Sequence, residues 1–380
     1  MGKPNLGDRQ RLMARFNDII DRRWFTNNGA CVQELERKIA EFLQVKHCIA
    51  MCNATVALEI VTRAIGMRGE VIVPSYTFVA TAHALQWQEI TPVFCDVDPR
   101  THTIDPAQIE RLITPRTTGI VAVHLWGRGC DVEAIDAIAR RRNLRVIYDA
   151  AHAFACTHRG QMIGGFGDAE VFSFHATKFF NTAEGGCVTT NNDEVAKKIS
   201  LMRNFGFAGY DNVIHLGTNG KMDEFSGAVG LTNLESLDYF VGCNRRNFLR
   251  YSMGLAGIPG LAIYTFDPGE RVNHQYVVVE VDGDKSGLSR DEIVEVLHRE
   301  HILARKYFYP GVHRMEPYRS YFPHAGLLLP VTERLSKRVM VLPTGTAVDE
   351  QMIDKICGVI RAAVEHRDLV REALKIAGKS

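Results

Sequence analysis

The stretch AEVFSFHATKFFNTAEGGCVTT (residues 169–190) contains two apolar runs, AEVFSF and GGCVTT, that both have the composition of buried strands. The polar segment between them is too short for a helical crossover, so we expect the two strands to form a local, hairpin-like part of a sheet. This segment carries Lys178 among small polar residues and ends in a pair of glycines. A lysine held between two buried strands raises the question of what its amine does there.

Outward from this stretch, short β-branched runs alternate with longer amphipathic ones. CIAMC, EVIVP, TPVFC and TGIVAV are each followed by a helical pattern, and LRVIYD completes the series. This alternation predicts an α/β fold with a mostly parallel sheet covered by helices on both faces. Beyond about residue 240 the pattern changes to that of a smaller α+β domain, where Ser289 and Glu292 are spaced as a capping box. We expect a large domain with an N-terminal helical segment over residues 1–240 and a small domain over residues 241–380.

The composition narrows the class of protein. Apolar residues make up 46% of the chain and charged residues 23%, and the formal net charge is +1. This balance gives no general attraction to nucleic acid or anionic membranes. The nine cysteines form no C-x-x-C pair, which argues against a disulfide framework and a zinc site. Because no signal-peptide or membrane-spanning run is present, we expect a cytoplasmic protein.

Three predicted strands end in chemically useful groups. CIAMC leads into Asn53-Ala54-Thr55 at a helix start, LRVIYD ends in Asp149, and VFSF carries Ser173 near its end, five residues before Lys178. In an open α/β sheet, ligands bind outside the carboxyl ends of the strands. An anion seat, a carboxylate, a hydroxyl and a lysine at one edge suit pyridoxal phosphate, whose aldehyde forms an imine with lysine. Taken singly, each signal also fits a turn, a helix cap or a surface charge.

The segments YDAAHA (148–153) and GGFGDAEVFSFHATKFFNTAEGG (164–186) resemble the sugar aminotransferases of the DegT/DnrJ/EryC1/StrS family. The resemblance runs from VQELERKIAEFLQVKH through VIVPSYTFVATAHA to VMVLPTG and implies the fold type I architecture of aspartate aminotransferase. It implies pyridoxal 5'-phosphate as cofactor, with pyridoxamine 5'-phosphate as its amine-carrying form, held by Lys178. Asp149 would partner the ring nitrogen, His152 would lie near the ring hydroxyl, and Phe78 would stack on the ring.

The resemblance also implies how the cofactor phosphate is held. Ser173, Ala54 and Thr55 would bind it, although the loop reads Asn-Ala-Thr where the family commonly has Ser-Gly-Thr. The segment LGTNGKM (216–222) would cross to a partner subunit, where Asn219 and Lys221 would reach the neighbour's phosphate. Lys221 stands where the family more often has arginine, so a two-pronged contact would become a point charge. The protein is therefore expected to be a homodimer with shared active sites.

Within the family, CNATVALEI, HALQWQ and RNFGFAGYDNVIHLGTNGKM most resemble the C-4 aminotransferases of deoxysugar and antibiotic pathways. The expected substrates are L-glutamate and dTDP-4-keto-6-deoxy-D-glucose. RWFTNNG and YFYPGVH are candidate walls of the sugar-nucleotide site, and packing between subunits is an equally good interpretation of both segments. A C-3 aminotransferase is the alternative within the family. Three other classes are disfavoured. Dehydratase relatives replace the lysine by histidine, and a non-catalytic scaffold would be expected to lose Lys178 or Asp149. A nicotinamide dehydrogenase needs a G-x-G-x-x-G motif, which MCNATV lacks.

Overall fold

A computed structural model describes residues 3–377, so the first two residues of the predicted large domain and the last three of the small one lie outside the described residues. In chain order the strands are β1 (His47–Met51), β2 (Glu70–Pro74), β3 (Thr91–Cys95), β4 (Thr117–Val123), β5 (Arg145–Asp149), β6 (Thr157–His158), β7 (Gln161–Met162), β8 (Ala169–Ser173), β9 (Gly186–Thr190), β10 (Leu261–Ile263), β11 (Val277–Val281) and β12 (Val339–Leu342).

The helices are α1 (Arg9–Arg22), α2 (Ala30–Leu43), α3 (Ala54–Ala64), α4 (Ala80–Gln86), α5 (Pro106–Leu112), α6 (Val132–Arg142), α7 (Asp193–Met202), α8 (Glu224–Leu234), α9 (Leu237–Gly254), α10 (Gly283–Ser286), α11 (Arg290–Arg299), α12 (Tyr318–Tyr321), α13 (Pro330–Arg338), α14 (Glu350–Glu365) and α15 (Arg367–Ala377), with 3₁₀ turns at Val312–Arg314 and Ala325–Leu328. None of these helices in residues 3–377 has the length and apolar character needed to cross a membrane.

The large sheet has seven strands in the order β1-β9-β8-β5-β4-β2-β3. Every neighbouring pair from β8 to β3 is parallel, whereas β9 runs antiparallel to both β8 and β1. The prediction of a mostly parallel α/β sheet is confirmed, as is the direct pairing of the two strands in residues 169–190. Strands β2 and β9 are buried along their whole length because helices cover both faces of the sheet.

The antiparallel strand β9 brings three chain segments together at one sheet edge. Its first residue, Gly186, is paired with Ser173 at the end of β8 and with Met51 at the end of β1. Helix α3 starts three residues after Met51 and is capped by Asn53, whose side-chain oxygen accepts the N–H of Val56 at 2.8 Å. The start of α3 and the end of β8 are therefore neighbours in space.

A second sheet, of order β10-β11-β12 and antiparallel throughout, lies in the C-terminal part of the chain. It packs with α11 and α14 around a separate apolar cluster. The capping box at the start of α11 is confirmed, because Ser289 accepts the N–H of Glu292 and Glu292 accepts the N–H of Ser289. Helix α9 runs across the expected boundary at residues 240–241, and the division into two domains there stays a prediction.

Candidate active site

Lys178 lies in the loop that joins β8 to β9. The two ends of this loop are held together by two backbone hydrogen bonds. The N–H of Phe174 donates to the carbonyl of Gly185 at 2.9 Å, and the carbonyl of Phe174 accepts the N–H of Thr182 at 2.8 Å. The buried rings of Phe174 and Phe180 meet edge to face at 4.8 Å and anchor the loop from below. The local sequence therefore fixes a short, rigid platform from which the half-buried Lys178 projects.

The amine of Lys178 lies 3.2 Å from the hydroxyl of Tyr276. Burial disfavours its charged form and lowers its pKa to about 8, although the charge of Asp149 works in the opposite direction. An amine that titrates this close to neutrality can serve as a nucleophile and as a proton carrier. This is chemistry that an ordinary surface lysine does not offer.

Asp149, the last residue of β5, is 6% exposed and held by neutral donors. One carboxylate oxygen accepts the hydroxyl of Thr81 at 2.9 Å, and the other accepts the N–H of Ala151 at 3.1 Å. Burial raises the pKa of Asp149, while these two bonds and the positive charge of Lys178 lower it. A buried carboxylate of this kind gains stability from a cationic ligand group, such as a protonated pyridine nitrogen.

His152 is buried between aromatic rings. Its ring lies 5.5 Å from that of Trp126 and 4.3 Å from that of Tyr276, and its Nε2 lies 3.0 Å from the Tyr276 hydroxyl. Burial, together with the charge of Lys178, holds its pKa well below the usual value, so the imidazole is neutral. Its Nδ1 has no hydrogen-bond partner within the described part of the chain. Such an orphaned buried atom indicates a missing ligand partner.

The start of α3 and the end of β8 approach Gly186 so closely that a single added methyl group would not fit. A Cβ on Gly186 would lie 2.8 Å from the backbone nitrogen of Ala54 and 2.6 Å from the carbonyl oxygen of Phe172. The first N–H groups of a helix have no intrahelical acceptor and favour anions. Ala54 and Thr55 supply such groups here, and Ser173 lies across the sheet edge through its pairing with Gly186.

Phe78 lies outside the helix that follows it in the chain. Helix α4 begins only at Ala80, so Phe78 lies in the preceding turn, where its side chain is 56% exposed. It lines an aromatic groove together with Tyr307 and Tyr309. A neighbouring pocket, lined by Lys178, shares Tyr307 with this groove. The stacking role of Phe78 stays a prediction.

Asn219 and Lys221 lie beside the end of β1. The backbone of Lys221 forms an antiparallel bridge with Met51. Its amine donates to the side-chain oxygen of Asn204 at 3.1 Å and lies 4.8 Å from the ring centre of Phe205. Burial and a nearby arginine lower its pKa. Both residues thus lie next to the chain that leads into α3, and their contact with a partner's phosphate stays a prediction.

Three residues of the site are absent from the sequence-based set: Thr81, Gly186 and Tyr276. Thr81 follows the motif PSYTF. It could have been predicted from the rule that a buried carboxylate, here that of Asp149, needs hydrogen-bond donors. Gly186 belongs to the glycine pair that ends the quoted stretch. Tyr276 precedes an apolar strand of the second sheet, where its sequence context indicates an ordinary core position.

The model of the DegT/DnrJ/EryC1/StrS aminotransferase family matches residues 7–361 of the chain. The chain belongs to this family. The dTDP-4-amino-4,6-dideoxy-D-glucose transaminases of Shigella dysenteriae and Escherichia coli are 38% and 35% identical to it, over 94% and 93% of this chain and 97% and 95% of those proteins. A crystal structure of DesI with its TDP-sugar product superposes with a TM-score of 0.94 at 44% identity and covers 98% of this chain and 94% of that one.

Family membership makes the chain an aminotransferase of the sugar-nucleotide class, with pyridoxal 5'-phosphate as its cofactor. The residues present fit this group on three independent observations. Asp149 is a buried carboxylate held by neutral donors, His152 has an orphaned Nδ1, and the first N–H groups of α3, at Ala54 and Thr55, have no intrahelical acceptor. Lys178, whose amine titrates near neutrality, acts through its charge on both Asp149 and His152.

Proposed function

We propose that the chain transfers an amino group from L-glutamate to C-4 of dTDP-4-keto-6-deoxy-D-glucose. The product would be dTDP-4-amino-4,6-dideoxy-D-glucose, a building block of deoxysugar and antibiotic biosynthesis. The observation that carries the proposal is the half-buried Lys178, whose amine has a pKa of about 8, interacts with the charge of Asp149 and lies 3.2 Å from the Tyr276 hydroxyl that also contacts His152. The names of the two transaminase relatives favour C-4 of a dTDP-linked sugar as the acceptor.

Pyridoxal 5'-phosphate, when bound, supplies an aldehyde that captures amines and a ring that withdraws electrons from the attached carbon. The protein's own groups do the remaining work. Asp149 keeps the ring nitrogen protonated, because a buried carboxylate held only by neutral donors is stabilised by a cation. The amine of Lys178, once free, takes a proton from one carbon and returns it to another, as a base of pKa about 8 can do near neutral pH.

The phosphate is proposed to be held by the N–H groups of Ala54 and Thr55 and by the hydroxyl of Ser173. The close approach at Gly186 supports this role, since only glycine at this position lets the start of α3 keep its place beside Ser173 at the sheet edge. Phe78 is proposed to lie against the cofactor or the substrate at the mouth of the site, because its exposed ring needs a partner.

The acceptor is tested by incubating purified protein with L-glutamate and dTDP-4-keto-6-deoxy-D-glucose and determining the product by NMR. Nitrogen on C-4 and stoichiometric 2-oxoglutarate are the expected results. Nitrogen on C-3 would refute the choice of substrate position and leave the chemistry at Lys178 intact. The Lys178→Arg variant, which keeps the charge but titrates far above neutrality, is the matched control and should give no product.

We further propose a homodimer in which Asn219 and Lys221 complete the partner's phosphate site. A strip of exposed apolar side chains just before these residues supports an interface. Its members are Phe205, Phe207, Tyr210, Val213, Ile214 and Leu216. Exposed apolar patches of this kind mark protein–protein contacts.

Subunit mixing tests this shared site. The Lys178→Ala protein lacks the amine, and the Asn219→Ala/Lys221→Ala protein lacks the crossing residues. If the crossing residues act on the partner, one of the two sites of each mixed dimer is intact. An equal mixture should then regain about a quarter of the wild-type sites. No regain of activity in a mixture shown to exchange subunits would place both residues at their own chain's site.

A further inference from the structure

The hydroxyl of Tyr276 joins two groups of the active site. It lies 3.2 Å from the amine of Lys178 and 3.0 Å from Nε2 of His152. Tyr276 precedes β11 of the second sheet, so this contact also ties the C-terminal part of the chain to the loop that carries the lysine. Burial raises the pKa of the Tyr276 hydroxyl above its usual value, so the hydroxyl keeps its proton.

The charge of Lys178 fixes the direction of one of these hydrogen bonds. A charged lysine amine can only donate, so the oxygen of Tyr276 accepts from Lys178. The hydroxyl proton of Tyr276 is then free to be donated to Nε2 of His152 at 3.0 Å, and in that arrangement Nε2 carries no proton itself. Because the imidazole is neutral, its proton lies on Nδ1. That atom is buried and has no acceptor within residues 3–377.

We infer that Tyr276 is a positioning residue that orients the charged amine of Lys178 and keeps the proton of His152 on Nδ1, ready for an oxygen on the cofactor ring. The inference rests on the proposed role of Lys178 and is independent of which sugar is aminated. It gives the orphaned Nδ1 a function, since a ring-bound oxygen with negative charge is the acceptor that a buried N–H donor requires.

The stacking of His152 supports this assignment. Its ring lies at 29° to that of Trp126 at 5.5 Å, and the ring of Tyr276 covers it at 4.3 Å. These contacts hold the plane of the imidazole, so the direction in which Nδ1 points is set by packing. The hydrogen bond from Tyr276 then decides which nitrogen is protonated, a role that no apolar neighbour can fill.

The Tyr276→Phe substitution in the cofactor-free protein tests the inference, with two readouts that do not depend on turnover. The first is the pH profile of acetylation at Lys178, followed by peptide mass spectrometry. Its midpoint in the wild type is expected near the amine's pKa of about 8. Loss of the acceptor for the charged amine should lower the midpoint by about one pH unit. Asp149 and Tyr307, the other titratable groups that act on Lys178, are unchanged in this variant.

The second readout is ¹⁵N NMR of protein labelled at histidine, with the His152 signal identified by its absence in His152→Asn. The wild type should show the Nδ1–H form at pH 7, whereas Tyr276→Phe should show a mixture of both neutral forms. The matched control is Tyr318→Phe, which removes a buried tyrosine hydroxyl that bonds Nδ1 of His83 at 2.8 Å. This control should change neither readout at Lys178 or His152.

An unchanged acetylation midpoint in Tyr276→Phe, or an Nε2–H form in the wild type, would overturn the inference. The wild-type NMR measurement alone decides the matter if the variant fails to fold. Failure of the proposed function has a different signature, namely wild-type protein that forms no adduct between Lys178 and pyridoxal 5'-phosphate.

Discussion

The Gly186→Ala substitution tests whether the start of α3 is an anion seat. The added methyl carbon would lie 2.8 Å from the nitrogen of Ala54 and 2.6 Å from the oxygen of Phe172, both of them backbone atoms. Ordinary contact begins at 3.4 Å, so the nitrogen of Ala54 must move by about 0.6 Å. Backbone atoms at a helix start cannot rotate away as a side chain could, and the first turn of α3 has to shift as a body.

A shift of this size is enough to break a hydrogen bond between an N–H and a phosphate oxygen, which tolerates only a few tenths of an ångström. A hydrogen bond to a charged group is worth about 1.5–3 kcal/mol. Loss of one such bond should therefore raise the Kd for pyridoxal 5'-phosphate roughly 10- to 100-fold. The added strain should also lower the free energy of unfolding by about 1–3 kcal/mol.

The assay is a titration of cofactor-free protein with pyridoxal 5'-phosphate, followed by absorbance, beside a urea unfolding curve. Gly242→Ala in α9 is the matched control, because its added methyl group meets no atom within 4 Å and should leave the Kd unchanged. A folded Gly186→Ala protein whose Kd lies within twofold of the wild type would refute the assignment of the phosphate to the start of α3.

Three further predictions concern Asp149, the start of α2 and Lys178. Thr81→Val removes a donor from Asp149, so the pKa of Asp149 should rise further and kcat/KM should fall about tenfold; an unchanged pH–rate profile would count against this contact. Glu224→Ala removes the carboxylate that accepts two N–H groups at the start of α2, so the free energy of unfolding in urea should fall by about 2–4 kcal/mol. Glu224→Gln keeps one acceptor oxygen and should lower it less, and equal losses in the two variants would contradict this role of Glu224. Cofactor uptake by the apoprotein, followed by stopped flow, should speed up with rising pH, with a midpoint at about pH 8, and level off once the amine is mostly neutral, because the Lys178 amine reacts only when neutral. A flat profile from pH 6.5 to 9.5 would refute this.

The sequence predicted those parts of the site that depend on local chain direction. Strand ends and helix starts are read from short patterns, and parallel strands necessarily gather their carboxyl ends at one edge. For this reason Asp149, Ser173 and the start of α3 could be placed at a common edge before any coordinates were known. The resemblance to the family then supplied the role of Lys178, which the pattern alone could not give.

Contacts between distant segments could not be predicted in the same way. Tyr276 reaches Lys178 across 98 residues of sequence and Thr81 reaches Asp149 across 68. Such pairs depend on how the second sheet and α4 pack against the large sheet, and a single sequence carries no periodic signal for that packing. The exposure of Phe78 could not be predicted for the same reason. Its ring is exposed because α4 begins only at Ala80, which leaves Phe78 in the preceding turn.

The attachment of the cofactor to Lys178 is tested most directly by reducing the yellow holoprotein with borohydride and mapping the modified peptide by mass spectrometry. The expected result is one phosphopyridoxyl group on the peptide that contains Lys178, and no stable adduct in the Lys178→Ala variant. A modification on any other lysine, or an unmodified Lys178 in protein saturated with pyridoxal 5'-phosphate, would contradict the account.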